Sequence, residues 1–190
     1  MAEQWIRGWD RMVAAIGRDF GADRPSIFGE PIELTALKRY LEPLEFDCAL
    51  HYDATAARQH GYADVVVPFT ALASFAMPLM WTPGEALFAE AGRDVQPLHT
   101  HVAGIFSGLE PPTAKFLAVS SDADFIKPAL LGDRLCRRGA KLLGCTPKET
   151  KLGRGAFVIW QTEIVNQRFE CLARLSTTFF RYNPHRGETR

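Results

Sequence analysis

The sequence predicts an α+β domain in which an antiparallel sheet wraps around one central helix, and three observations lead there. Residues 70–80 are almost all apolar or small, and they follow Pro68, whose fixed φ and missing N–H suit the entry of a helix. A helix with almost no wet face belongs inside something. The second half of the chain supplies the cover: Phe116-Leu117-Ala118-Val119, Phe157-Val158-Ile159-Trp160 and residues 175–182 concentrate β-branched and aromatic residues between Gly and Pro breaks. The short links between these runs favour antiparallel neighbours.

Taken in order, Trp5, Trp9, Met12, Val13 and Ile16 recur at spacings of three and four, which predicts an amphipathic helix over residues 1–17. Residues 18–31 mix Gly, Asp, Pro and Ser and read as a loop. Leu34, Leu37, Tyr40, Leu41 and Leu44 predict a second helix, with Pro43 marking its end. A short helix over 54–60 is expected to stop at Gly61, with Asp53 as its cap. After the central helix, Trp81-Thr82-Pro83-Gly84 reads as a turn, and residues 92–112 have the length and composition of a lid or binding loop. Strands are expected over 116–127, 134–143, 156–166 and 170–182, with turns at 128–133 and 167–168. Asp64 and Asp133 read as turn residues whose carboxylates bond nearby backbone. Phe125, Trp160, Phe179 and Phe180 read as core or interface residues. The organisation is thus an N-terminal extension over 1–31, one domain over 32–183 and a polar tail over 184–190.

Composition excludes several functions. Twenty-two basic and twenty-two acidic side chains cancel, so no long-range field holds nucleic acid or an anionic membrane. Cys48, Cys136, Cys145 and Cys171 are widely spaced, which fits reduced thiols in a cytoplasmic protein and neither a disulfide framework nor a zinc site. His99 and His101 could share a strand face, but no third ligand stands near them, so no metal is expected. No apolar run reaches the length of a membrane span or a signal peptide. Asp47 and His51, four residues apart in the loop before the central helix, are the leading catalytic candidates, because such a pair can position and activate a water.

Several fragments in a fixed order carry a resemblance. Ala56-Ala57-Arg58, Gly61-Tyr62, Asp64-Val65-Val66, Pro68 and Thr70 are followed by Pro128 and by Gly132-Asp133-Arg134-Leu135. In this order and spacing the chain resembles the MaoC-like acyl dehydratases and (R)-specific enoyl-CoA hydratases of the hot-dog fold, over about residues 32–182. The resemblance implies a sheet curled around one long central helix, pairing of hot-dog units as a homodimer or heteromer, and reversible hydration of a 2-enoyl-CoA to a 3-hydroxyacyl-CoA. It implies no cofactor beyond the CoA thioester itself. His51 falls on the family's catalytic His, and the backbone amides of Phe69 or Thr70 fall on its oxyanion donors. Arg58 and Arg134 are candidates for the CoA phosphates, and Arg137, Arg138 and Lys141 could join them.

The family motif Asp-x-Asn-Pro-x-His is one residue longer than the loop from Asp47 to His51. Aligned on His51, the family's carboxylate position holds Phe46. Two functions of different class follow: an enzyme that uses Asp47 and His51, or a non-catalytic unit that completes the acyl-CoA site of a catalytic partner. A hot-dog thioesterase would need a carboxylate on the central helix, and residues 70–80 have none.

Overall fold

The computed structural model describes residues 4–79, 81–88 and 107–185. Its centre is a four-stranded antiparallel sheet in the order β2-β6-β5-β4, where β2 is Lys115–Phe125, β4 Leu135–Thr150, β5 Gly153–Asn166 and β6 Cys171–Pro184. A second, two-stranded ladder pairs β1, Val66–Val67, with β3, Ala129–Leu130. This is the α+β hot-dog architecture that the sequence predicts.

Three strands run past their expected ends. β4 continues through Pro147 to Thr150 and β5 starts at Gly153, so the charged stretch expected as a connection is mostly ladder. Gly155 makes this possible: a Cβ there would collide with the carbonyl oxygen of Arg181, so a side-chain-free residue lets β5 and β6 close.

Alternation along β4 and β5 sends Leu135, Leu142, Ala156, Val158, Trp160 and Ile164 to one face, the inner face. Two clusters cover that face. In the first, Leu37 and Leu41 of α3 (Leu34–Leu41) pack with Val65, Val67, Ala71, Leu72, Leu135, Ile164 and Leu172. Leu37 is fully enclosed, so truncation to Ala would cost about 2–5 kcal/mol. In the second, Trp9 and Met12 of the N-terminal extension pack on Leu142, Val158 and Trp160.

The N-terminal helix is broken in two. α1 (Gln4–Arg7) and α2 (Asp10–Ala14) flank Gly8-Trp9, which turns Trp9 and Met12 inward and leaves Val13 and Ile16 exposed. Glycine in a helix interior is unfavourable, and here it marks the break.

The central helix corrects the sequence expectation. Only a 3-10 turn at Phe69–Ala71 and α5, Leu72–Phe75, are helical, where a long buried helix over 70–80 was expected. Pro78 removes an N–H and disfavours helical geometry at Met77, so the rod stops within two turns. Ala71, Leu72 and Ala76 are buried, whereas Phe69, Thr70, Ser74, Met77 and Leu79 are exposed. One face is dry and the other is not.

Candidate functional site

The loop that carries the predicted catalytic pair is tied at both ends. Upstream, the Tyr52 hydroxyl donates to the Phe46 carbonyl at 2.6 Å. Downstream, the Asp53 carboxylate accepts from the Thr55 amide at 2.7 Å and caps α4, Ala54–Gln59, as its position before that helix predicts. Between the two ties, the 3-10 turn Ala49–His51 points the imidazole inward, leaving His51 only 8% exposed.

His51 Nδ1 lies 2.6 Å from the Val66 carbonyl oxygen. A carbonyl only accepts, so Nδ1 carries the proton and, in the neutral ring, Nε2 keeps a lone pair that can take one. Val66 belongs to β1, which runs straight into Pro68 and the first helical turn, so one short strand fixes the ring and the helix opening together. At that opening, the amides of Phe69 and Thr70 donate to no acceptor among the described residues. They are unspent donors of a helix start.

The partner of His51 is an arene where the family motif has a carboxylate. The Phe46 ring stands 5.3 Å from the imidazole, centroid to centroid, in the position assigned to it by alignment on His51. Asp47 is exposed and lines a shallow concavity with Glu42, Glu45, Tyr52 and Asp53. Among the described residues it has no hydrogen bond or ion pair. The structure therefore brings His51, Val66 and the helix opening together, and it does not join Asp47 to them.

The cationic candidates separate in the same way. Arg58 is exposed on α4. Arg134 is spent on structure: its Nε donates to the Gly29 carbonyl at 3.1 Å, and its amide donates to Gln167. Arg137 and Arg138 leave β4 on opposite faces, so the expected basic group does not gather. Asp64 and Asp133 are the predicted turn residues, accepting from Val65 N at 2.7 Å and Leu130 N at 2.9 Å.

All four cysteines are free. Burial pushes the thiols of Cys136 and Cys171 up, and burial together with the Glu110 carboxylate pushes Cys145 to about 11. Among the described residues no group of three or more His, Cys, Asp or Glu could hold a metal, and His99 and His101 lie outside those residues. No described helix is long and apolar enough to cross a membrane.

The contribution of Val66 escapes sequence reasoning because it acts through a carbonyl that every residue has. Phe46 does leave a signal, in the spacing of the loop.

A curled antiparallel sheet, a short helix on its inner face and an inward histidine beside the opening of that helix define a hot-dog unit of the acyl dehydratase class. The family model "FAS1-like, dehydratase domain region" matches residues 14–174, and the chain belongs to that family, among the MaoC-like hot-dog dehydratases.

Solved structures share the fold. The chain is similar to one in the ChsH1-ChsH2 complex from Mycobacterium tuberculosis, with a TM-score of 0.64 and 15% identity, covering 99% of this chain and 96% of that one. The MaoC-like dehydratase from Rhodospirillum rubrum matches with a TM-score of 0.56 and 21% identity, over 90% of this chain and 94% of that one. An (R)-hydratase from A. caviae involved in PHA biosynthesis matches with a TM-score of 0.50 and 14% identity, over 89% and 96%. By sequence, the chain matches no curated protein.

Proposed function

We propose that this chain is one hot-dog unit of a cytoplasmic assembly that reversibly hydrates a 2-enoyl-CoA to a 3-hydroxyacyl-CoA, and that it completes the acyl-CoA site of a partner unit carrying the catalytic carboxylate. The observation that carries this reading is the Phe46 ring beside His51, with Asp47 turned to solvent.

Hydration of a 2-enoyl thioester needs a base for the attacking water, an acid for the α-carbon and donors for the thioester oxygen as enolate charge grows. This chain offers the donors, at Phe69 and Thr70, and a single proton acceptor at His51 Nε2. An arene neither orients water nor shares a proton. His51 therefore lacks the carboxylate that would make it an effective base, and the partner's own Asp and His supply both the base and the acid.

Partner dependence has a physical basis as well. Phe69 stacks on Phe125 at 4.7 Å, at the end of β2, and both rings are more than 40% exposed. A second unit added along β2 would cover these rings and close the space over the helix opening. The complex from Mycobacterium tuberculosis supports a hot-dog partner by analogy of fold.

A second reading, a self-sufficient homodimer in which Asp47 and His51 share the water, is favoured by the unspent lone pair on His51. It requires the Asp47 carboxylate to swing in where Phe46 now lies.

Loss of enoyl absorbance, followed for the chain alone and co-expressed with a hot-dog unit bearing the complete Asp-x-Asn-Pro-x-His motif, separates the two. The partner-completing reading expects activity only in the pair, unchanged by His51→Ala within about twofold, and a gain of about tenfold or more for the lone Phe46→Asp chain as the dyad is restored. Activity of the lone chain that is lost in His51→Ala selects the second reading.

A further inference from the structure

Arg137 is a cation on the wrong face of its strand. Direct pairing places Arg137 opposite Ile164, Ile164 opposite Ala173, and Ala173 opposite Phe125, and residues directly opposite each other share a face. Ile164 and Ala173 are fully enclosed in the first core cluster, so this row lies on the inner face.

The Nε of Arg137 is buried without an acceptor among the described residues, and burial pushes its guanidinium below the ordinary arginine range, with no carboxylate among those residues opposing the shift. The neighbouring charges are otherwise disposed. Arg138 and Glu163 lie on the outer face, where Glu163 pairs with Arg174 at 3.1 Å. A desolvated, unpaired charge is unfavourable, and a hydrophobic replacement of similar volume would be neutral or stabilising.

The surroundings point to what pairs with it. From Arg137 the row crosses to Phe125, which stacks on Phe69 at the helix opening. That is three strand spacings, about 14 Å. Beside the row, on the same face and between the two core clusters, Thr162, Leu175 and Thr177 are only half-buried. The outer edge of β4 is closed by the N-terminal segment, and the open β2 edge lies at the far side of the sheet. A protein partner at β2 would not reach Arg137, whereas an extended chain lying along the half-buried strip of Thr162, Leu175 and Thr177 beside the row would.

Resting on the reading above, in which the thioester oxygen meets the Phe69 and Thr70 amides, we propose that Arg137 binds a carboxylate at the far end of the acyl group. The substrate class is then a medium-chain 2-enoyl thioester that carries a terminal carboxylate. The guanidinium would hold it through charge-assisted hydrogen bonds.

Calorimetric titration of the chain paired with the motif-complete hot-dog unit tests this with a medium-chain trans-2-enoyl-CoA ending in a carboxylate and its methyl-ended twin of the same length. The wild-type pair should prefer the carboxylated ligand by about tenfold or more, as expected for one hydrogen-bonded charge pair. Arg137→Lys should keep part of that preference. Arg137→Met should abolish it, keep the affinity for the methyl-ended twin, and raise the Tm of the ligand-free chain.

Equal affinity of the wild type for the two ligands overturns the assignment alone. Preference that survives in Arg137→Met, or a lowered Tm in that variant, does the same by making the arginine structural. Failure of both ligands to bind overturns the assignment and the acyl-CoA reading together.

Discussion

The two edges of the sheet are treated in opposite ways. Along β4, the N-terminal extension supplies backbone partners: the Gly17 amide bonds Leu142, the Leu142 amide bonds Arg18, Phe20 bonds Ala140, and Gly29 bonds Leu135. The Asp19 carboxylate accepts from the amides of Ala140 and Gly21, at 2.7 and 2.8 Å, where Gly139 takes a positive φ at a bulge. Along β2, only β6 is paired among the described residues, and every residue of the strand but Leu117 is exposed. Phe116 alone shows 56% of its surface. An edge with unpaired N–H and C=O groups is a template for another strand. One side of this sheet is finished by the N-terminal extension, and the other carries no strand partner beyond β6 among the described residues. A bulge at Val119 and the carboxylates of Asp122 and Asp124 keep that open side from pairing indiscriminately.

The contrast is broken most strongly at Gly21. A Cβ there would come within 2.7 Å of the Gly139 carbonyl carbon, which is backbone and cannot step aside. Gly21→Val should therefore detach the strap and lower unfolding stability by about 3 kcal/mol or more in urea titrations. Asp19→Ala leaves two amides unsatisfied beside β4 and should cost about 1–3 kcal/mol by the same measurement.

On the opposite edge the expected result reverses. Phe116→Lys with Val119→Lys should change unfolding stability of the lone chain by no more than about 0.5 kcal/mol, yet shift sedimentation of the paired assembly to separate units. A loss of stability similar to that of the strap variants would erase the distinction between the edges.

The smallest effect concerns the end of β2. Hydrogen bonds from Asn166, then Arg168 and Lys127, hold the Glu170 carboxyl at about 2, against an ordinary value of 4.5. A depressed carboxyl contributes stability above its unfolded pKa, and that contribution fades as pH falls from about 4.5 to about 2. Since the pair with Lys127 is solvent-exposed, the expected change is slight: Glu170→Gln should flatten the stability profile in that window, lowering stability a little at pH 7 and leaving it nearly unaltered near pH 2.

Much of this was legible in the chain. β-branched and aromatic runs between Gly and Pro breaks located all four long strands, and the Asp53 cap, the Gly61 stop and the Asp133 turn could be read from residue type and place. The short central helix was harder: the apolar run over 70–80 suggested burial all round, whereas Pro78 ended the helix and Phe69 stands exposed at its opening. The strap on β4 was read as a loop, because its residues bond through main-chain atoms that leave no pattern in side-chain type. At the site, His51 was visible from its motif. Its environment was not, since Val66 acts through a carbonyl and Arg137 is singled out only by the face on which pairing puts it.

The hairpin links from β4 to β5 and from β5 to β6 are short, whereas β2 must find β6 across all of β3, β4 and β5. Local ladders form before distant ones because loop closure is costly in entropy. The meander of the last three strands should thus assemble early during refolding, and β2, at the exposed side of the sheet, should be the last to dock.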